Sequence, residues 1–465
     1  MENVRRENLE MKIPALLHLS RLGYEYLSRK QLRRRDRKTN ILPDAVRAAA
    51  ERINGIPVPE ETFARLMEDL QSQLDADDLG SAFYRTLRNG WRGLRLIDFE
   101  HPENNRFQSA AEMACGSGAG SFRPDITLMI NGFPLAMIEM KTRDHARSLQ
   151  AEYDRMAERF RNKEMRRFLQ CTQIWAFSDD HADDPGRLLP VEGSYFATVM
   201  TEAFPLYAVR DRRARTERLP RARNPEEEQR ILEDNGIQAK PSAGGFRRSL
   251  SPGKPAHRML TTLFRPERFL FLLRYGIQYV QDAESAGKRR MIRRMLTAEQ
   301  LAMLEALVRK AKRGYRNWSA PFCGAAGTDA ANASMIALVQ DLAPGAELYW
   351  VSNDETELQR DRGALESCGV SSAQGEDATE AQVTLMTADK EPEESGGRKI
   401  FILPQMIRAY GQKTDFRARL RRRFPDAILI TRTTRQQETT VNVPLCLENL
   451  VERNRSAVLA EIRNW

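Results

Sequence analysis

Cysteine is scarce and scattered: Cys115, Cys171, Cys323, Cys368 and Cys446 share no Cys-x-x-Cys spacing. Neither a zinc site nor a disulfide framework is indicated. The histidines are just as dispersed, which leaves a catalytic Cys/His pair without support. No run of about eighteen apolar residues occurs, so no membrane span is expected. The opening Met-Glu-Asn-Val-Arg-Arg-Glu lacks the apolar core of a signal peptide, which predicts a cytoplasmic protein. No internal repeat is visible either.

What is present is a soluble, globular composition. The chain has 465 residues, 29% of them charged and 41% apolar, enough for two or three domains with real cores. The net charge of +9 favours a polyanionic partner, although a basic balance speaks to steering and not to specificity. One basic run is dense: Arg29, Lys30, Arg33, Arg34, Arg35, Arg37 and Lys38. It reads either as a solvated helix end or as a phosphate-contacting surface. A second run, Arg212 to Arg223, lies in a stretch of shifting composition over residues 210–253, which reads as an exposed linker with weak secondary structure.

Apolar positions recur at helical spacing from about Leu9 to Leu27, with a stop at Gly23-Tyr24, and further helices are predicted over residues 45–53, 60–74, 78–89 (closed by Gly90) and 147–163. Residues 93–100 and 173–178 read as strands, and Asn104-Asn-Arg-Phe leads into another. Helices packed on a mixed sheet follow for this half. From Leu260 a strongly apolar helix is expected to about Val280, with further helices over 297–312 and 332–342. Strand-like runs at 348–352, 382–386, 400–403 and 427–431 alternate with helices, the pattern of a parallel, doubly wound α/β sheet.

The chemistry centres on Arg123-Pro-Asp-Ile-Thr-Leu-Met-Ile-Asn-Gly-Phe-Pro-Leu-Ala-Met-Ile-Glu-Met-Lys141. Two apolar runs flank an Asn131-Gly132 turn signal, which reads as a β-hairpin. Side chains alternate along a strand, so Glu139 and Lys141 share one face, expected to border an opening, while Ile138 and Met140 point the other way. A strict two-residue loop would pair Asp125 with Ile138. A three-residue loop from Asn131 to Phe133 sets Asp125 opposite Glu139, and this arrangement is the expected one. Asp125, Glu139 and the backbone carbonyl of Met140 would then suit Mg²⁺, a hard cation that takes oxygen ligands. Lys141 would orient a water or neutralise developing charge, and the implied reaction is phosphodiester hydrolysis. An ordinary Glu/Lys pair on the wet face of a hairpin would look the same by spacing alone.

The order of features resembles the restriction (R) subunit of type I restriction enzymes, which has an N-terminal PD-(D/E)xK nuclease followed by a two-lobed ATP-driven translocase. The matching segments are Leu22-Gly-Tyr-Glu-Tyr, Leu96-Ile-Asp-Phe with Asn104-Asn-Arg-Phe, Arg123-Pro-Asp-Ile, Asn131-Gly-Phe-Pro-Leu and Ile138-Glu-Met-Lys. The resemblance implies that Asp125, Glu139 and Lys141 are the metal-binding and catalytic residues. It also implies a Gln-x-x-x-Tyr element on the next helix. Gln150 and Tyr153 are one residue too close for it, which keeps Gln150 as a candidate site residue and assigns Tyr153 to packing. Glu10 is a weak candidate for an upstream acidic ligand.

The second half resembles the first motor lobe of that subunit, with departures. Where the family has Gly-x-x-x-x-Gly-Lys-Ser/Thr, this chain reads Gly324-Ala-Ala-Gly327-Thr-Asp-Ala, without the lysine that cradles phosphates and with Asp329 nearby. Where an acidic Mg²⁺-holding motif should follow an apolar strand, it reads Leu403-Pro-Gln-Met406. The chain stops at Trp465, where a partner lobe would still have to follow. These departures imply a lobe that neither binds ATP tightly nor translocates.

The expected architecture is thus α/β throughout: a PD-(D/E)xK restriction-endonuclease-like domain over 1–210, a basic linker over 211–255, and a degenerate RecA-like doubly wound lobe over 256–465. The expected function is a Mg²⁺-dependent DNA endonuclease subunit of a prokaryotic restriction or antiviral system, controlled by another protein of that system and not an ATPase. The alternative is a non-catalytic DNA-binding or scaffold subunit.

Overall fold

The computed structural model describes residues 8–116, 121–141, 149–181, 193–199, 207–209, 218–237, 246, 250–283, 289–322, 328–374, 382–390, 392, 396–404 and 416–434. The chain divides into two compact units between Arg274 and Tyr275. That division falls after residue 256, where the sequence suggests the second domain begins, because the helices Pro255–Phe264 and Pro266–Tyr275 are tied to the first unit's N-terminal helix and its neighbours. Tyr24 donates to the Phe264 carbonyl at 2.7 Å and Tyr84 to that of Leu273 at 2.7 Å. The His18 and His257 rings stack at 4.6 Å. Asp180 accepts from the Ala256 amide in the first turn of helix Pro255–Phe264 and pairs with Lys254 at 2.6 Å.

The first unit is built on a seven-stranded mixed sheet whose spatial order follows the chain: β1 (Glu25–Leu27), β2 (Phe107–Ala111), β3 (Ile126–Ile130), β4 (Phe133–Met140), β5 (Ile174–Ser178), β6 (Ser194–Ala197) and β7 (Tyr207–Ala208). Strands β1 and β2 pair in parallel, as do β4 and β5; the other neighbours are antiparallel. Every residue of β4 is buried, as expected of a central strand covered on both faces.

Helices form where the apolar period predicts them. Helix Ile13–Leu22 carries Pro14 in its first turn and ends on Gly23 at φ 119°, a conformation that glycine adopts without strain. Helices Pro43–Asn54, Glu60–Asp75, Ser81–Asn89 and Leu149–Arg161 follow, and Lys163–Cys171 adds one more. Residues 93–100 do not form the expected strand. Leu96 and Ile97 are buried, but the backbone turns there, and the Leu96 carbonyl accepts from the Asn131 side chain at 2.9 Å.

Part of the region read as a linker forms a helix. Residues 225–234 form a helix capped by Asn224, with Ile231 and Leu232 buried, and Asp234 accepts from the Tyr26 hydroxyl at 2.7 Å. Arg212, Arg213 and Arg215 lie outside the described residues, as does the 241–245 segment.

The second unit opens with an antiparallel pair, β8 (Ile277–Ala283) and β9 (Arg289–Met295). The expected apolar helix to Val280 therefore stops at Tyr275, and Val280 lies in a strand. Six parallel strands follow: β10 (Asn317–Phe322), β11 (Glu347–Ser352), β12 (Ser372–Ala373), β13 (Val383–Thr387), β14 (Lys399–Leu403) and β15 (Ile428–Thr434), in the spatial order β10-β15-β14-β11-β13-β12. Helices Ala298–Lys312, Thr328–Leu342, Glu355–Ser367 and Phe416–Arg423 alternate with them. Phe416 and Leu420 of the last helix pack on Tyr349, Val351, Phe401, Leu403 and Leu429. Gly324 to Gly327, Gln405 and Met406 lie outside the described residues.

Candidate active site

The β3–β4 hairpin turns at Asn131 and Gly132, with φ of 53° and 86°, both positive as a tight two-residue turn requires. Ile130 pairs directly with Phe133, so the loop is two residues long and not three. The surplus residue sits inside the strand instead. Met129 pairs with Pro134 and Leu128 with Ala136, so Leu135 is a β-bulge, and its carbonyl accepts from Gln173 at 2.8 Å. Past the bulge Ile126 pairs with Ile138, which puts Asp125 across from Glu139.

The turn is held by its side chain. Asn131 Oδ1 accepts from the Arg106 amide at 2.8 Å, and its Nδ2 donates to Asn105 Oδ1 at 2.9 Å. A Cβ on Gly132 would come within 2.8 Å of both Ala45 Cβ and the Leu42 carbonyl oxygen. The helix Pro43–Asn54 thus abuts the turn closely.

Asp125 Oδ2 accepts from the Met140 amide at 2.7 Å, which orients its carboxylate along the end of β4. Glu139 is 5% exposed. Burial and then the neighbouring Asp125 push its carboxyl well above the usual carboxylate range, while Lys141, Arg159 and Arg155 act in the opposite sense. The opening expected over Glu139 and Lys141 is covered by helix Leu149–Arg161: Tyr153 packs on Trp175 and Phe177, and Phe177 is the β5 partner of Glu139.

Lys141 lies 3.6 Å from Glu152, which is itself buried and also pairs with Arg155. Glu152 was not singled out from the sequence. The signal was there: Leu149, Tyr153, Met156 and Phe160 mark the buried stripe of the helix, and Glu152 is a charge on that stripe. Gln150 Nε2 donates to Asp154 at 2.9 Å within the same helix, and no described hydrogen bond joins it to Asp125 or Glu139. Tyr153 is a packing residue here, 3% exposed. Glu10 is exposed in a short π-helical segment, Asn8–Lys12.

Two carboxylates that repel each other in a buried site, with the Met140 backbone beside them, suit a hard divalent cation. Among the described residues no group of three or more His, Cys, Asp or Glu side chains could hold a metal.

Residues 5–182 match the family Type I restriction enzyme R protein N terminus. This stretch is similar to the N-terminal region of type I R subunits. A Type I restriction enzyme HindI endonuclease subunit from Haemophilus influenzae is 32% identical over 161 residues. That match covers 29% of this chain and 15% of the Haemophilus protein, so the chain spans a small part of that relative. The R-subunit match takes in the hairpin, Asp125, Glu139, Lys141 and Glu152. It ends before β6, and the whole second unit lies outside it. Among the described residues no helix is long and apolar enough to cross a membrane.

Proposed function

We propose that the first unit is a divalent-metal-dependent DNA endonuclease of a restriction or antiviral system, with Asp125, Glu139 and the Met140 carbonyl as the ligands of a Mg²⁺ ion. The adjacency of Asp125 to the buried Glu139 across β3 and β4 carries this reading. A magnesium ion bound there would polarise a phosphodiester oxygen and make a coordinated water more acidic. Asp125 is oriented for that role by the Met140 amide. Glu139 is held by its strand under the helix Leu149–Arg161, away from bulk water. Lys141, on the same face as Glu139, balances negative charge that builds on the phosphate and is steadied by Glu152. Gln150 serves as a substrate-contacting residue at the helix start.

The second unit is proposed as a degenerate RecA-like lobe that does not hydrolyse ATP. Its parallel, helix-alternating sheet supports the fold, and the missing lysine after Gly327 supports the loss of nucleotide chemistry. It would serve packing, DNA grip or docking, with a second protein of the system licensing cleavage in the cytoplasm.

The test is cleavage of plasmid DNA with Mg²⁺ by the wild type and by Lys141→Ala, with proteins encoded beside it supplied. Mg²⁺-dependent cutting that Lys141→Ala abolishes is expected; equal cutting by both sinks the assignment. For the second unit, ATP should give no thermal stabilisation.

A further inference from the structure

The basic run at residues 29–38 is not absorbed by the site above, yet the fold places it beside that site. Strand β1 runs parallel to β2 at one edge of the sheet, with Leu27 beside Ala110, so the chain leaves β1 at the end of the sheet where β2 leaves it. There the Glu112 amide donates to the Asp125 carbonyl at 3.2 Å. Arg29 lies 3.5 Å from the Glu112 carboxylate, and Arg35 donates to the Ala114 carbonyl at 3.0 Å. The basic segment is therefore pinned to the stretch of chain flanking Asp125.

Among the described residues its charges are otherwise uncompensated. Asp36 is the one acid among residues 29–38, and it is taken up by local bonds to the Lys38 and Thr39 amides and the Thr39 hydroxyl. Lys30, Arg33, Arg34, Arg37 and Lys38 are exposed and have no ion pair among the described residues. Arg123, two residues before Asp125, is exposed as well. A cluster of like charges repels itself unless a polyanion covers it. A phosphate approaching two carboxylates also needs cations close by to offset their repulsion.

We propose that residues 29–38, together with Arg123, form the surface on which the sugar-phosphate backbone of duplex DNA lies while its scissile phosphate meets Asp125 and Glu139. The proposal rests on the nuclease reading for its second clause only. Arg29 and Arg35 anchor the surface to the site, and the exposed cations make the contacts. Contacts of this kind position the duplex without reading its sequence.

The experiment measures binding of the full-length chain to a fluorescent duplex in EDTA, where cutting cannot interfere, across a salt series. Lys30→Ala/Arg33→Ala/Arg34→Ala removes exposed, unpaired charges; Arg65→Ala/Arg85→Ala removes exposed arginines from two other helices as a control. The triple variant should bind at least about tenfold more weakly, with a salt slope shallower by about two to three, near 0.9 per lost phosphate contact. Unchanged affinity and slope, or an equal loss in the control, overturns the proposal. Cleavage with Mg²⁺ is scored separately. A wild type that binds as expected but never cuts sinks the nuclease reading and leaves the surface standing; a triple variant that binds and cuts like the wild type sinks the surface alone.

Discussion

Lys141 and Glu152 meet at 3.6 Å beneath helix Leu149–Arg161, joining the end of β4 to the helix that covers it. Glu152 also pairs with Arg155, so one buried carboxylate serves two cations. Both cations keep some contact with solvent, 19% for the Lys141 side chain and 34% for that of Arg155, so removing the carboxylate costs about 1–3 kcal/mol, less than stranding a fully buried charge. Glu152→Ala should lower stability by an amount of that order in urea unfolding, and by much more than Asp154→Ala on the same helix.

Metal binding should be linked to pH through Glu139. Its carboxyl is raised by burial and by Asp125, so in the metal-free protein stability is fully present below the unfolded value of 4.5 and is lost as pH rises through the raised folded value. A divalent cation needs the ionised form. Mg²⁺ should therefore stabilise the protein more at high pH than at low pH, by about 1.4 kcal/mol at ten times Kd. Glu139→Gln should abolish that shift while raising metal-free stability. Thermal unfolding with and without Mg²⁺ at several pH values checks both.

The stacked His18 and His257 rings give the opposite sign. Burial lowers His257 from 6.5 to about 4, and burial with the charge of His257 lowers His18 well below its usual value. The unfolded chain binds more protons in this window, so stability is present above 6.5 and is lost as pH falls toward 4. His257 alone accounts for about 2 kcal/mol between pH 7 and pH 5. His257→Gln should flatten that part of the unfolding profile.

Gly132→Ala should be severely destabilising. The residue has φ of 86°, and a Cβ would collide with Leu42 and Ala45 at 2.8 Å. A loss of about 2–4 kcal/mol in chemical denaturation is expected. Gly314→Ala, with similar φ but open space around it, should lose less.

The hairpin was legible because Asn-Gly between branched apolar runs is a strong local signal. Its register was not, because a two-residue turn and a bulge at Leu135 reach the same facing of Asp125 and Glu139 as a longer loop. Helices with a clean apolar stripe and caps, such as Ala298–Lys312 behind Thr297, were readable to within a residue or two. Two strand and helix assignments failed where tertiary contacts override pattern: residues 93–100 are pinned by Asn54 and Asn131, and Val280 sits in β8, where Gly276 ends the preceding apolar helix. The ordered 225–234 helix was hidden by the arginines around it. Glu152 was passed over because a charge next to Tyr153 looks like a solvated helix position until the covered sheet face is known.

One surplus residue in β4 sets a parity for everything after it. Delete Leu135 and the flanking pairs, Met129 with Pro134 and Leu128 with Ala136, close into a regular ladder that still sets Asp125 across from Glu139. Delete Met137 instead, past the bulge, and the remainder of the strand slips by half a pleat, turning Glu139 toward the opposite layer and bringing Met140 round in its stead. Inactivation by a single in-frame codon loss at an uncharged position is thus built into how this hairpin is wound.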